Sequence, residues 1–211
     1  MKKFKKLIIA CDGVSASGKS TAAKLISQKY NLLLINSGLL YRYASKQIIK
    51  NKPKNNIIFL KKKFRNISYK KITQSNLHTE QISNHVAFLA KNNKVRKIIN
   101  AVQRKLIKTN KRVCVEGRDI ASKILAKNPK YDLAFYFKCN VKIASYRRWL
   151  DIKKKVSLKN VRKSLIKRTS MDKKRKNSPL IKVKDAILIR TDKLNKKQVL
   201  SKMTDYIEKL N

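Results

Sequence analysis

Acidic side chains are scarce in this sequence: 11 Asp and Glu stand against 55 Lys and Arg in 211 residues, a formal net charge of +44 with His neutral. The lysines form no single block. They are spread along the chain among abundant asparagine and isoleucine, which fits compositional bias and solvated faces better than a dedicated nucleic-acid surface. Such a field still attracts anionic nucleotides, and RNA as a side effect. Glycine (4) and proline (3) are equally sparse, which argues against long flexible linkers. Cysteine occurs three times, as Cys11, Cys114 and Cys139. An odd number at these spacings matches neither a disulfide framework nor a metal site, so we expect reduced, buried thiols in a cytoplasmic protein. Two histidines, His78 and His85, are too few for a metal site of their own. Long apolar runs are missing as well. No stretch approaches the roughly 20 apolar residues of a membrane span. The opening "MKKFKKLIIAC" resembles a lipoprotein signal, but its apolar run is shorter than the roughly 7–15 residues such a segment needs; we read it as a first strand.

What is present is an alternation of short apolar runs and helix-periodic segments. Strands are expected over residues 7–11, 31–35, 113–116, 133–139 and 186–190. Helices are expected over 21–29, 39–50, 80–108, a basic segment holding Arg147 and Arg148, a segment ending near Arg168, and 195–210. Residues 51–75 carry little pattern apart from the turn "NKPKNN", and 151–160 forms a polar break. No internal repeat is evident. This order predicts an α/β fold with three layers, a parallel sheet flanked by helices.

The strongest local signal is "GVSASGKS", residues 13–20, which meets G-x-x-x-x-G-K-[ST] at every fixed position and sits between a strand and a helix. In such a loop, successive backbone N–H groups and the helix N-terminus cradle phosphate. Gly13, Val14, Ser15, Ala16, Ser17, Gly18, Lys19, Ser20 and Thr21 are therefore the expected residues for binding a nucleoside triphosphate, which the resemblance given below implies is ATP. Lys19 can reach the β- and γ-phosphates, and the Ser20 hydroxyl can ligate Mg²⁺.

Three further segments follow: "NSGLLYR" (36–42), "EGRDIAS" (116–122) and "RTSMDKKR" (168–175). The first places Ser37, Tyr41 and Arg42 just past a strand end, where ligands of open α/β sheets bind. The second places Arg118 and Asp119 at another strand end. In the third, Arg168, Asp172 and Arg175 share one face if helical.

With the phosphate loop, and in this order, these segments resemble the bacterial cytidylate kinases, P-loop nucleoside monophosphate kinases. The resemblance spans roughly residues 7–210, including the late "DAILI" strand. The chain departs from the family's usual residues at Asn36 (commonly Asp), Ala121 (commonly Gly) and Arg190 (commonly Asp). The resemblance implies a single P-loop kinase domain over 1–211, with a CMP-binding insertion at about 38–108 and a small lid, which we place at about 151–160. It implies transfer of the γ-phosphoryl group of ATP to CMP or dCMP. It also implies that Ser37, Tyr41, Arg42, Arg118, Asp119, Arg168 and Asp172 bind CMP, Arg168 and Asp172 at its sugar. Arg175 is expected on the phosphate side, and Lys19, Arg168 and Arg175 are the expected catalytic cations. Phosphoryl transfer needs alignment and positive charge rather than a general base, which this set supplies. The alternatives are a kinase for UMP or AMP, and an RNA-binding P-loop protein. We expect a monomer with ATP and CMP or dCMP as partners, no specific nucleic acid and no membrane.

Overall fold

A computed structural model of the chain describes residues 4–210. It falls into two compact units, one made of the residues up to Ile35 together with those from Asn110 onward, the other of Asn36–Thr109.

In the first unit, β1 (Leu7–Gly13), β2 (Leu33–Asn36), β3 (Arg112–Glu116), β4 (Leu133–Lys138) and β5 (Ile187–Arg190) form one sheet in the order β2-β3-β1-β4-β5. The pairings β1–β3, β1–β4 and β4–β5 are parallel. The central strand β1 is buried along its whole length, as a parallel strand covered on both faces must be. Its side chains alternate between faces. Leu7, Ile9 and Cys11 enter a core with Ala22, Ala23 and Ile26 of helix α1 (Lys19–Lys29) and Val199, Met203 and Ile207 of helix α9 (Lys196–Glu208). Asp12 points the other way, toward a short π-helical turn at Ile120–Ile124. Helices α7 (Val141–Asp151) and α8 (Leu158–Lys173) pack through Ala144, Val161 and Leu165 around Cys139. All three cysteines are buried and free.

The second unit is helical: α2 (Ser37–Asn51), α3 (Asn56–Arg65), α4 (Tyr69–Thr73), α5 (Glu80–Leu89) and α6 (Asn93–Lys108). Leu40, Ala44, Leu60, Phe64, Ile72, Leu89, Val95 and Ile99 form its core. Two expectations are corrected here. Residues 51–75 are not featureless, since they hold α3 and α4. Residues 80–108 are two helices rather than one, because the Asn92 side chain caps α6 by accepting from the N–H groups of Lys94 and Val95. The polar break is also narrower than 151–160: only residues 152–157 lie between α7 and α8.

Candidate active site

The loop after β1 is built by close approach of backbone to backbone. Val14 N–H donates to the Phe137 carbonyl of β4 at 3.1 Å. A Cβ on Gly13 would lie 2.3 Å from that same oxygen, so no other residue fits. Gly18 adopts the left-handed conformation, φ 76°, immediately before α1. Ser17 Oγ donates to the Val14 carbonyl at 2.9 Å, closing the loop, and Thr191 Oγ1 donates to the Ser17 carbonyl at 3.0 Å, tying the loop to the residue after β5. Side chains of Asn36, Asn55, Thr79, Asn92, Asn140, Ser157 and Asn195 cap α2, α3, α5, α6, α7, α8 and α9. At α1, as at the short α4, no side chain makes a capping hydrogen bond. The first-turn N–H groups of α1 are the kind that bind an oxyanion.

Lys19 is 7% exposed, and its ammonium donates to Oε2 of the 2% exposed Glu116 at 3.0 Å. Asp12, just before the loop, accepts from the Ile120 and Ala121 N–H groups at 2.9 and 2.8 Å. Burial outweighs those two hydrogen bonds and raises its pKa to about 6. Ser20 and Thr21 are exposed at the start of α1.

A second cluster adjoins the loop. Arg118 Nε donates to Oδ2 of Asp172 at 2.8 Å, and its Nη2 donates to Ser15 Oγ at 3.3 Å. Asp172 Oδ1 lies 3.7 Å from Arg175 Nη1. Asp172 is thus shared by two guanidinium groups, one of which reaches the phosphate loop. Asp119 is buried at the head of the π-helical turn, its carbonyl accepting from the Lys123 N–H. Arg168 is exposed on α8, four residues before Asp172. Arg175 lies beyond the end of α8 at Lys173, so the three residues do not share one helical face as expected. The ion pair nevertheless spans the helix end.

The other expected residues belong to the second unit, at the start of α2. The Asn36 side chain caps that helix by accepting from the Leu39 N–H at 3.1 Å. Ser37 Oγ accepts from Gln103 Nε2. The Tyr41 ring lies 5.8 Å from the Arg96 guanidinium. Arg42 donates to the Leu77 carbonyl at 3.1 Å and to Ser83 Oγ at 2.8 Å.

Sequence reasoning missed Asp12, Glu116, Arg96 and Gln103. All four are buried, and each contacts an expected site residue or the segment that holds one. The signal for Asp12 and Glu116 was available: each is one of few acids and ends an apolar strand. Arg96 and Gln103 were hidden in a helix read only for its apolar period.

The family model for cytidylate kinase matches residues 9–209. The cytidylate kinase of Rickettsia akari is 30% identical over 97% of this chain and 93% of its own. Two solved structures share the fold. One, an uncharacterised protein of Eubacterium ventriosum, is 18% identical with a TM-score of 0.58 over 97% of this chain and 99% of its own. The other, shikimate kinase of Bacteroides thetaiotaomicron, is 10% identical with a TM-score of 0.51 over 96% and 98%. A family match over nearly the whole chain, with a 30% identical relative covered almost end to end, means that this chain belongs to the cytidylate kinase family.

Proposed function

We propose that the chain transfers the γ-phosphoryl group of ATP to CMP or dCMP, giving ADP and CDP or dCDP, with its charged loop residues in the roles that follow. The observation that carries this assignment of roles is Arg118, which spans from Ser15 of the phosphate loop to Asp172 of α8. One guanidinium thereby links the donor's loop to the arginine segment.

The loop N–H groups and Lys19 hold the β- and γ-phosphates of ATP. An ammonium has three donors, so Lys19 can keep Glu116 while donating to phosphate, and Glu116 fixes its position beforehand. Arg118, Arg168 and Arg175 gather charge around the transferring group and the acceptor phosphate, with Asp172 orienting two of them. Ser37, Tyr41 and Arg42 belong to the CMP set, as does Asp119. Arg96 and Gln103 join that set through their contacts with Tyr41 and Ser37. Among the described residues there is no group of three or more His, Cys, Asp or Glu able to hold a metal ion. The Ser20 hydroxyl, exposed at the start of α1, suits Mg²⁺ of the kind carried in on substrate phosphates and met by few protein ligands. When bound, Mg²⁺ would neutralise charge on the β- and γ-phosphates. The acceptor is already an anion, so no general base is required.

The test is ADP formation from ATP and Mg²⁺ with CMP, dCMP, UMP and AMP supplied in parallel. Turnover confined to CMP and dCMP is expected. Comparable kcat/KM on UMP or AMP would end the claim of cytosine selectivity. Lys19→Ala, assayed alongside, should lower kcat by at least about 100-fold.

A further inference from the structure

The second unit carries a trough lined by none of the residues assigned to ATP or CMP. It lies between α3 and α6, has a volume of about 730 Å³, and is lined by Ile57, Phe64, Ile98, Ala101 and Val102 with Lys61, Arg65, Lys94, Lys97 and Lys105. The apolar side chains form the floor. The five cations stand on the rim, and among the described residues no acid lines it. We propose that this trough docks an acidic amphipathic helix of a partner protein.

The helix geometry comes first. Helix α6 buries one stripe, Val95, Ile99, Gln103 and Ile107, inside its own unit. Positions 94, 98, 101, 102 and 105 form a second stripe at i, i+4, i+7, i+8 and i+11, which is one continuous helical face. Helix α3 covers that face only partly: Ile57, Ile98 and Val102 are half-buried, and Ala101 in the middle is exposed. A small residue flanked by larger apolar ones lets a third helix approach closely and seat its side chains in the groove between two helices. From Lys94 to Lys105 the stripe runs roughly 16 Å, and from Ile57 to Arg65 roughly 12 Å, at the α-helical rise. That matches two to three turns of a partner helix.

Charge selects the kind of helix. Five cations, with no acid among the described lining residues, favour a partner with Asp and Glu flanking its apolar stripe. A second copy of this chain is repelled, because each carries +44. A nucleic-acid backbone matches the rim but not the floor, and Phe64, the aromatic among the described lining residues, is buried and so offers no face for a base to stack on. A flat anionic bilayer does not fill a trough between helices. The lysine stems extend the apolar walls while their ammonium groups reach solvent, as a helix seat requires.

The test uses the full chain and a fluorescein-labelled, designed peptide of about 15 residues, with Leu at i, i+3, i+4 and i+7 and Glu on the flanking positions. A scrambled peptide of the same composition, a single-stranded RNA of similar charge, and laurate are measured in parallel by anisotropy or competition at physiological salt. The amphipathic peptide should bind at least roughly tenfold more tightly than the scrambled one. Ala101→Glu and, separately, Lys97→Glu should each weaken it by a similar factor while leaving ATP:CMP turnover unchanged, which also shows that the variants fold. Equal binding of the scrambled peptide would mean that net charge alone is sensed and would overturn the proposal. So would preferential binding of RNA or laurate, or peptide binding that neither substitution weakens.

Discussion

Asp12 shows what a single residue can reveal once its neighbours are known. It is 3% exposed, sits one residue before the phosphate loop, and joins β1 to the turn that follows Arg118 through two N–H groups. Those hydrogen bonds alone would lower its pKa. Burial wins and raises it from 3.8 to about 6. The folded state therefore binds more protons than the unfolded chain between these values. The stability tied to this group is fully present below about pH 3.8 and is lost as pH rises through 6, by at most about 3 kcal/mol. Asn is neutral throughout. Asp12→Asn should thus gain stability relative to the parent as pH rises from 4 to 7, whatever fixed penalty its altered hydrogen bonding carries. Urea unfolding of both proteins across that range measures it, and a difference constant with pH would show that Asp12 ionises normally. The scarcity of acids makes such residues informative: Asp12, Glu116, Asp119 and Asp172 all stand within the first unit on the segments around the loop.

Among the elements, those with one clean signal were readable from sequence and those with two competing signals were not. The strand–loop–helix of residues 7–29 combines an apolar run, two glycines and helical spacing, and it folds as expected. In α3, Leu60 and Phe64 are the buried pair at i and i+4, but adjacent Ile57, Ile58 and Phe59 blur the period, and Ile58 is 66% exposed. The π-helical turn at Ile120–Ile124 leaves no sequence trace because it is imposed by Asp12, a contact across 108 positions. The link between α7 and α8 is different again. Its composition marked it, but not its backbone: Lys153 and Lys154 both hold positive φ, 53° and 57°, a conformation that costs a lysine roughly 1–2 kcal/mol. The single tryptophan, Trp149, donates from Nε1 to the Val156 carbonyl at 2.9 Å, and Lys154 lies 5.0 Å from its ring. Stored strain beside a hydrogen-bonded reporter suits a segment that rearranges when substrates bind. Trp149 emission should therefore change on saturation with ATP and CMP, and less with either alone. Emission that stays constant while both ligands bind would count against the lid expected at about 151–160.

At the scale of the whole molecule, the fold class followed from alternating strands and helices, while the second unit, Asn36–Thr109, was indicated only by the family resemblance, which implied an insertion at about 38–108; no glycine- or proline-rich joint marks residue 36 or 109. The charge of +44 acts on both stability and catalysis, and in opposite directions. Self-repulsion weakens the compact state, and added salt screens it over a Debye length that falls from about 14 Å at 0.05 M to about 4 Å at 0.5 M. Each 1 kcal/mol so recovered raises Tm by about 2–4 °C for a chain of this size. The same field draws anionic ATP and CMP toward the loop, and screening removes that steering. Raising NaCl from 0.05 to 0.5 M should therefore raise Tm while lowering kcat/KM for both substrates, with kcat itself little changed. NaCl is the appropriate salt, since phosphate or sulfate would occupy the loop and stabilise by binding. Calorimetry and initial rates on one preparation test the pair together. If Tm and kcat/KM both rose with salt, nucleotide capture would rest on local contacts at residues 13–20 and on Arg118 and Arg175. The lysines spread over the rest of the surface would then contribute repulsion alone.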